Sequence, residues 1–279
     1  MSMQFFLIDE DFESIIKNVL KDQTIKKIKP ITTGWTNIVY RVTTNEDNYY
    51  FRFPRDEFWE RTIVKDHEFA QFILGKTSFN TVDLKLFYDK ERPFSVHREI
   101  PGIPLAEKMN SMSEDDVKKV SKQIAKFMYE FHNVKEEDKI FSINNIGLEL
   151  NDFINELLEK HVSENDMKFW KTNNFKIFDR DLETKCLVHG DLNSSNILLD
   201  DNNNVTAVID FGFAGYGNKY FDIARIIGRC PKNFEKSIAH EYELLENKKI
   251  NEEELNKNID IWNNIDQGYI NYMKSIKLM

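Results

Sequence analysis

The stretch VHGDLNSSN at residues 188–196, followed by IDFG at 209–212, determines how this chain of 279 residues is interpreted. It contains the aspartate Asp191, the asparagine Asn196 and a second aspartate, Asp210. A positioned carboxylate can accept the proton of an attacking hydroxyl, whereas an amide oxygen and a second carboxylate can hold the Mg²⁺ ions that neutralise a nucleoside triphosphate. These residues, in this order and at this spacing, therefore predict a centre for phosphate transfer.

Three short apolar, β-prone runs surround the two motifs, at 186–188, 197–199 and 205–209. The pattern predicts that Asp210 lies at the end of the third strand, while Asp191 and Asn196 face the same cavity from the loop. Such a set of oxygen ligands suits Mg²⁺. Either triplet alone is equally typical of an ordinary turn, because Gly, Asp and Asn dominate turns, but both together favour a catalytic site.

The composition excludes several classes of protein. Hydrophobic residues make up 41% of the chain and aromatic residues 13%, which argues against wholesale disorder. No apolar run approaches the ~20 residues of a membrane span, and the acidic start MSMQFFLIDEDFESII is not typical of a secretory signal. Cys186 and Cys230 show no metal or redox spacing, so we expect a reduced, cytoplasmic protein. The net charge of −9 argues against nucleic acid or an anionic membrane as a partner and suits a cationic small molecule.

The order of the predicted elements indicates an α+β protein. The chain is long enough for two lobes, and the run PGIP at 101–104 is the best candidate for a hinge. We therefore expect an N-terminal lobe at residues 1–100 and a mainly helical C-terminal lobe at 101–279. Helices are predicted at 9–21, at 60–74, after Ser113, and at 148–158, 167–170, 220–227, 234–245 and 252–276; further strands are predicted at 25–31, 38–43, 49–53, 81–88 and 93–100.

The catalytic run resembles that of the aminoglycoside phosphotransferase and choline kinase superfamily, the small-molecule relatives of protein kinases. His-Gly-Asp replaces His-Arg-Asp, no activation loop follows Asp210, and the chain continues into FDIA at 221–224, as helices of that superfamily begin. The resemblance implies a bilobal protein-kinase-like fold with an antiparallel β-sheet in its N-terminal lobe. It implies that Asp191 is the catalytic base and that Asn196 and Asp210 bind Mg²⁺. It also implies that His189 and Asp222 support the loop through hydrogen bonds.

The resemblance extends to the nucleotide side of the site, with departures. The turn at 32–37 has one glycine, Gly34, where a phosphate-covering loop usually has several, and its Gly34 and Thr36 are assigned to nucleotide binding. Arg52 takes the place of the phosphate-binding lysine, and Glu68 is its expected ion-pair partner, with Glu57 and Glu60 as competitors. The hinge, together with Glu99 and Ile100 before it, is expected to contact the base of the nucleotide. ATP and GTP are not distinguished.

Two acceptors remain open. Residues 96–105 are similar to the hinge of antibiotic phosphotransferases, whereas the stretch at 34–42 is similar to one in bacterial choline kinases. An aminoglycoside needs several carboxylates, and choline needs an aromatic cage. The C-terminal third offers both kinds: Glu235, Glu241, Glu243, Glu246 and Asp260, and Trp262, Tyr269 and Tyr272. Our first hypothesis is a monomeric enzyme that modifies a cationic aminoglycoside antibiotic. The second hypothesis is a kinase of choline or a related amino alcohol. The third, from a different class, is a nucleotide-binding module without activity.

Overall fold

The structure, a computed structural model, describes residues 10–31, 36–134 and 185–275. Gly34 and the helices predicted at 148–158 and 167–170 lie outside these ranges. The described helices are α1 (Glu10–Val19), α2 (Glu57–Ile73), α3 (Leu105–Lys108), α4 (Glu114–His132), α5 (Lys219–Ile227), α6 (Lys232–Glu246) and α7 (Glu252–Ser275), with a 3₁₀ turn at Met109–Ser111. The described strands are β1 (Ile25–Ile31), β2 (Asn37–Thr44), β3 (Asn48–Pro54), β4 (Lys85–Asp89), β5 (Arg92–Arg98), β6 (Ile103–Pro104), β7 (Lys185–Val188), β8 (Ile197–Leu199), β9 (Val205–Val208) and β10 (Gly215–Asn218).

The first half of the described chain forms a five-stranded antiparallel sheet in the order β1-β2-β3-β5-β4. Helix α1 packs on this sheet, because Ile16 and, directly after the helix, Leu20 belong to the same buried cluster as the strand residues Tyr40, Phe51 and Phe53. Helix α2 begins at the N-cap Asp56, whose carboxylate accepts a hydrogen bond from the backbone N–H of Phe58 at 2.8 Å. It then contacts β3, β4 and β5.

The second half is mainly helical and carries two small sheets beside the cleft described below. Helices α4 and α6 pack against each other, and α5 packs against α7. One sheet has the order β6-β8-β9, and the other pairs β10 with β7. The hinge predicted at 101–104 therefore contains a short edge strand, because Ile103 pairs with Leu199. Within the described ranges, no helix is both long and apolar enough to cross a membrane.

The α+β arrangement agrees with the sequence prediction, whereas some local features differ from it. The strand predicted at 81–88 begins only at Lys85. Its apolar pattern arises instead because Val82 and Leu84 are buried with Ala70 of α2 in a small separate cluster. Strand β10 was not predicted, because its sequence GYGN has two glycines and low strand propensity, and its pairing with β7 is long-range.

Candidate active site

A cleft of about 860 Å³ contains seven of the residues predicted for catalysis, metal binding and nucleotide binding. Its lining includes, from the sheet and the hinge, Thr36, Arg52, Glu99 and Ile100, and from the catalytic segments Asp191, Asn196 and Asp210. The cleft thus brings together residues that are up to 174 positions apart in the sequence (Thr36 and Asp210). His189 and Asp222 lie behind the loop and are fully or almost fully buried.

Buried hydrogen bonds hold the loop that carries Asp191. The carboxylate of Asp222 accepts from the backbone N–H of His189 at 2.7 Å and from that of Gly190 at 2.9 Å. The backbone N–H of Asp191 donates to Nδ1 of His189 at 3.3 Å, which places the imidazole proton on Nε2, where it faces the carbonyl oxygen of Ile209 at 3.1 Å. The loop is therefore tied both to helix α5 and to the strand end that precedes Asp210.

The second half of the loop orients Asn196. Its amide nitrogen donates to the backbone carbonyl of Asp191 at 3.0 Å, so the amide oxygen remains to accept a ligand. The backbone carbonyl of Asn196 accepts from the N–H of Ile209 at 3.0 Å, which fixes Asn196 next to the Asp210 segment. Asn193 stabilises the turn between Asp191 and Asn196, because its side-chain oxygen accepts from the N–H of Ser195 at 2.8 Å.

Arg52 connects the sheet to the Asp210 segment through two carboxylates. It donates to Asp66 of α2, which is fully buried, and to Oδ1 of Asp210 at 2.9 Å. The neighbouring carboxylates raise the pKa of Arg52 above its ordinary value in spite of its burial. Oδ1 of Asp66 also accepts from the N–H of Phe211 at 2.8 Å, so that one buried carboxylate joins α2, β3 and the residue after Asp210.

The prediction that Glu68 is the partner of Arg52 was wrong. Asp66 takes that role, because residues two apart on a helix point to nearly opposite sides and only the side of Asp66 faces Arg52. The competitor Glu60 pairs instead with Arg92 at 2.9 Å near the surface. A signal for Asp66 was present in the sequence: it follows Ile63 by three residues and precedes Ala70 by four, so it is an acid within the buried stripe of α2.

The residues of this centre fit Mg²⁺. Asn196 offers its amide oxygen, and the Asp210 side chain is 44% exposed with one oxygen bonded to Arg52, which leaves the second oxygen for a metal. The described residues contain no group of three or more His, Cys, Asp or Glu side chains that would hold a metal without further ligands. A single carboxylate and an amide are enough for Mg²⁺ when phosphate oxygens and water complete its shell.

At the opposite end of the cleft, polar residues surround the hinge. Glu99 accepts from Nε and Nη2 of Arg41 at 2.8 and 2.7 Å and from the hydroxyl of Tyr50 at 3.0 Å; the Arg41 bonds in particular lower the pKa of Glu99. His97 stacks on Tyr50 with ring centroids 5.3 Å apart, and burial lowers its pKa to about 4. The Nδ1 of His97 faces the carbonyl oxygen of Arg98 at 2.8 Å. A neutral His97 thus lines the region that the sequence analysis assigned to the base of the nucleotide.

The end of the cleft next to Asp191 contains residues that the sequence analysis did not single out. Arg225 donates to Asp191 and to Asp266, and Arg229 also donates to Asp266. Trp262, a candidate for an aromatic cage, stacks instead on the Arg225 guanidinium, whose central carbon lies 4.0 Å from the ring centroid.

The other described candidates for the acceptor site do not line the cleft. Glu243 and Glu246 are paired with Lys249 and Lys219 and are not among the described residues that line it. The side chains of Tyr269 and Tyr272 are outside the described part.

Gly190 gives a direct test of the loop geometry. Its φ is +80°, and a Cβ atom there would lie 2.1 Å from the carbonyl oxygen of Phe213. We expect Gly190→Ala to lower the free energy of unfolding, measured by urea denaturation, by about 3 kcal/mol. The positive φ strains any residue other than glycine, and the clash with Phe213 forces the backbone to move as well. Gly75 is the matched control, since its φ is +77° with nothing within 4 Å of such a Cβ, and Gly75→Ala should cost about 1 kcal/mol. Equal losses in the two variants would contradict the steric clash.

Comparison with known proteins shows the family of this chain. The model of the phosphotransferase enzyme family, APH, matches residues 27–247. Hydroxylysine kinase of Mus musculus is 28% identical over 151 residues, which cover 46% of this chain and only 38% of that relative. This chain therefore matches well under half the length of that curated relative.

Solved structures show the same fold along nearly the whole chain. The GDP and kanamycin complex of APH(2")-IIia is similar with a TM-score of 0.67 at 20% identity, covering 93% of this chain and 90% of that one. The apoenzyme of the macrolide 2'-phosphotransferase MphH from Brachybacterium faecium is similar with a TM-score of 0.65 at 13% identity, covering 95% and 93%. The bilobal kinase-like fold predicted from the motifs is thereby confirmed. The chain belongs to the phosphotransferase enzyme family.

Proposed function

We propose that this protein transfers the γ-phosphate of a nucleoside triphosphate to a hydroxyl group of a small molecule. The observation that carries the proposal is the convergence of Asp191, Asn196, Asp210 and Arg52 on one cleft. A proton acceptor, two oxygen donors for a metal and a cation for phosphate are the parts that phosphoryl transfer needs. Family membership supports the same reaction class.

In the proposed reaction, Asp191 accepts the proton of the acceptor hydroxyl as the hydroxyl oxygen bonds to the γ-phosphorus. The bond between the γ-phosphorus and the bridging oxygen breaks, and the nucleoside diphosphate leaves with that electron pair. Arg52 stabilises charge on the phosphates by donating hydrogen bonds. Asn196 and Asp210 would hold Mg²⁺, which supplies further charge neutralisation. The products are the phosphorylated acceptor and the nucleoside diphosphate, and most of the rate gain comes from positioning and electrostatics.

The two lobes divide this work in our proposal. Residues 1–100 form the nucleotide-binding lobe, with Thr36 and Arg52 near the phosphates and Glu99 and Ile100 near the base of the nucleotide. Residues 101–279 form the catalytic and acceptor-binding lobe. The nucleotide is ATP or GTP, and the structure of a similar protein with bound GDP supports a purine nucleotide.

An aminoglycoside is the first candidate acceptor, which would make this a cytoplasmic, monomeric antibiotic-resistance enzyme. The similar fold of a kanamycin-bound protein supports it. The second candidate is a smaller amino alcohol or hydroxylated amino acid. The likeness to hydroxylysine kinase favours this candidate. Arg229, which pairs with Asp266 and is still 46% exposed at the cleft, favours the hydroxylated amino acid in particular, because its guanidinium suits a carboxylate.

A screen of acceptors tests the proposal. The protein is incubated with Mg²⁺ and ATP or GTP, and with kanamycin, gentamicin, hygromycin B, choline, ethanolamine, homoserine or hydroxylysine, while release of the nucleoside diphosphate is followed by a coupled assay. We expect acceptor-dependent release with at least one compound and none with the Asp191→Asn variant. Thermal stabilisation by Mg²⁺–nucleotide without transfer to any acceptor would instead indicate a nucleotide-binding module. Turnover of choline alone would overturn the aminoglycoside ranking.

A further inference from the structure

Arg225 of α5 is the one side chain in the described ranges that donates a hydrogen bond to the carboxylate of Asp191. Its Nε lies 2.8 Å from Oδ1 of Asp191. No described residue bonds Oδ2, so that oxygen remains available to the acceptor. We propose that Arg225 is a positioning residue, which holds one oxygen of Asp191 and thereby presents the other oxygen to the acceptor hydroxyl. This inference rests on the proposed function, in which Asp191 is the base.

The guanidinium of Arg225 is itself held on three sides. Its Nη1 donates to both carboxylate oxygens of Asp266 on α7, at 3.0 and 2.9 Å. One of its faces lies on the ring of Trp262, also on α7, at 4.0 Å. Trp262 is in turn fixed, because its indole N–H donates to the backbone carbonyl of Phe221 at 2.9 Å. Arg225 therefore has little rotamer freedom left to lose when it orients Asp191.

The geometry separates this role from that of an ordinary structural ion pair. Asp266 pairs with Nη1 of Arg225 and also with Arg229, whereas the Nε–H of Arg225 is directed to Asp191 and to no other described carboxylate. The Arg225 side chain is only 12% exposed and the Asp191 side chain 21%, so water replaces this bond poorly. A general base depends on its orientation in the transition state more than on ground-state binding. Loss of Arg225 should therefore lower kcat and leave nucleotide affinity unchanged.

The main test compares Arg225→Gln with a matched control on the same helix. Lys219 also belongs to α5 and forms a partly buried ion pair with Glu246, its side chain 19% exposed, away from the described lining of the cleft. Release of the nucleoside diphosphate is measured with Mg²⁺–ATP and Mg²⁺–GTP, with kanamycin and with water as acceptors. For Arg225→Gln we expect kcat to fall about thirtyfold and the nucleotide Kd to stay within about twofold. For Lys219→Gln we expect kcat within about twofold of the wild type.

A rescue experiment distinguishes positioning from mere structural support. In Arg225→Ala, added methylguanidinium should restore part of kcat by occupying the place of the lost side chain, whereas a variant that is only less stable would gain nothing. A folded Arg225→Gln protein that keeps kcat within about threefold of wild type, or an Arg225→Ala protein without rescue, would overturn the inference.

A double-mutant cycle keeps the inference testable without turnover. Asp191→Asn, Arg225→Lys and the double variant are compared by urea unfolding. If Arg225 holds Asp191, their effects on the unfolding equilibrium constant do not multiply. Multiplicative effects would show that the contact is absent and would overturn the inference. A wild-type protein that transfers phosphate to no acceptor of the screen and does not hydrolyse nucleotide contradicts the proposed function instead.

Discussion

Replacing Asp191 by alanine is expected to lower kcat by about a hundredfold or more and to leave the affinity for Mg²⁺–nucleotide nearly unchanged. Asp191 lies in the cleft on a loop that buried hydrogen bonds to Asp222 hold in place. Removal of its carboxylate deletes the proposed proton acceptor without disturbing the bonds made by its backbone. The expected loss is therefore one of rate, with the loop still folded.

Two measurements check this result. Steady-state kinetics give kcat, and titration with a fluorescent nucleotide gives the Kd for Mg²⁺–ATP and Mg²⁺–GTP. Asn193→Ala is a useful comparison, because Asn193 stabilises the same loop through its side chain, with its amide oxygen accepting from the N–H of Ser195, and takes no part in the proposed chemistry. Near-normal turnover by Asp191→Ala would rule out Asp191 as the base.

Replacing Asp66 by alanine is expected to lower the free energy of unfolding by about 3–5 kcal/mol. Asp66 is fully buried and accepts from both Arg52 and the backbone N–H of Phe211. Without it, the Arg52 guanidinium loses one of its two carboxylate partners, the N–H of Phe211 loses its acceptor, and a small cavity opens under α2. We also expect weaker nucleotide binding, because Asp66 fixes the Arg52 side chain, which we propose contacts phosphate.

The matched control is Glu60→Ala on the same helix. Glu60 also joins α2 to an arginine, but its partner Arg92 is 59% exposed. A solvent-exposed ion pair of this kind should contribute about 1 kcal/mol or less. Chemical denaturation of both variants measures the difference. A loss for Asp66→Ala as small as that for Glu60→Ala would contradict the assignment of Asp66 as the buried link between α2, β3 and the Asp210 segment.

The parts of the site that are local in sequence were predictable. Asp191, Asn196 and Asp210 belong to two short motifs whose flanking apolar runs form β7, β8 and β9, so the sequence alone indicates that they meet. The apolar periodicity also indicated α2, α4, α5, α6 and α7, because each buries one face. Only their ends differ, by a few residues.

The parts that depend on how distant elements meet were not predictable. The apolar stripe of α2 marks Asp66 as an acid on the buried side of the helix, but the contact of Asp66 with Arg52 depends on how α2 packs against β3. Arg225 reaches Asp191 and Asp266 only because α5 packs between the loop and α7. Nothing in the sequence around Arg225 distinguishes it from a surface arginine near the end of a short helix.

Transfer of a radiolabelled γ-phosphate tests the central claim most directly. Wild-type protein and Asp191→Asn are incubated side by side with Mg²⁺ and labelled ATP or GTP and with the acceptors of the screen, and the products are separated. We predict a labelled phosphomonoester of at least one small hydroxyl compound with the wild type and none with Asp191→Asn, although both bind nucleotide equally. Equal labelling by the two proteins, or no labelled product with any acceptor, would contradict the account.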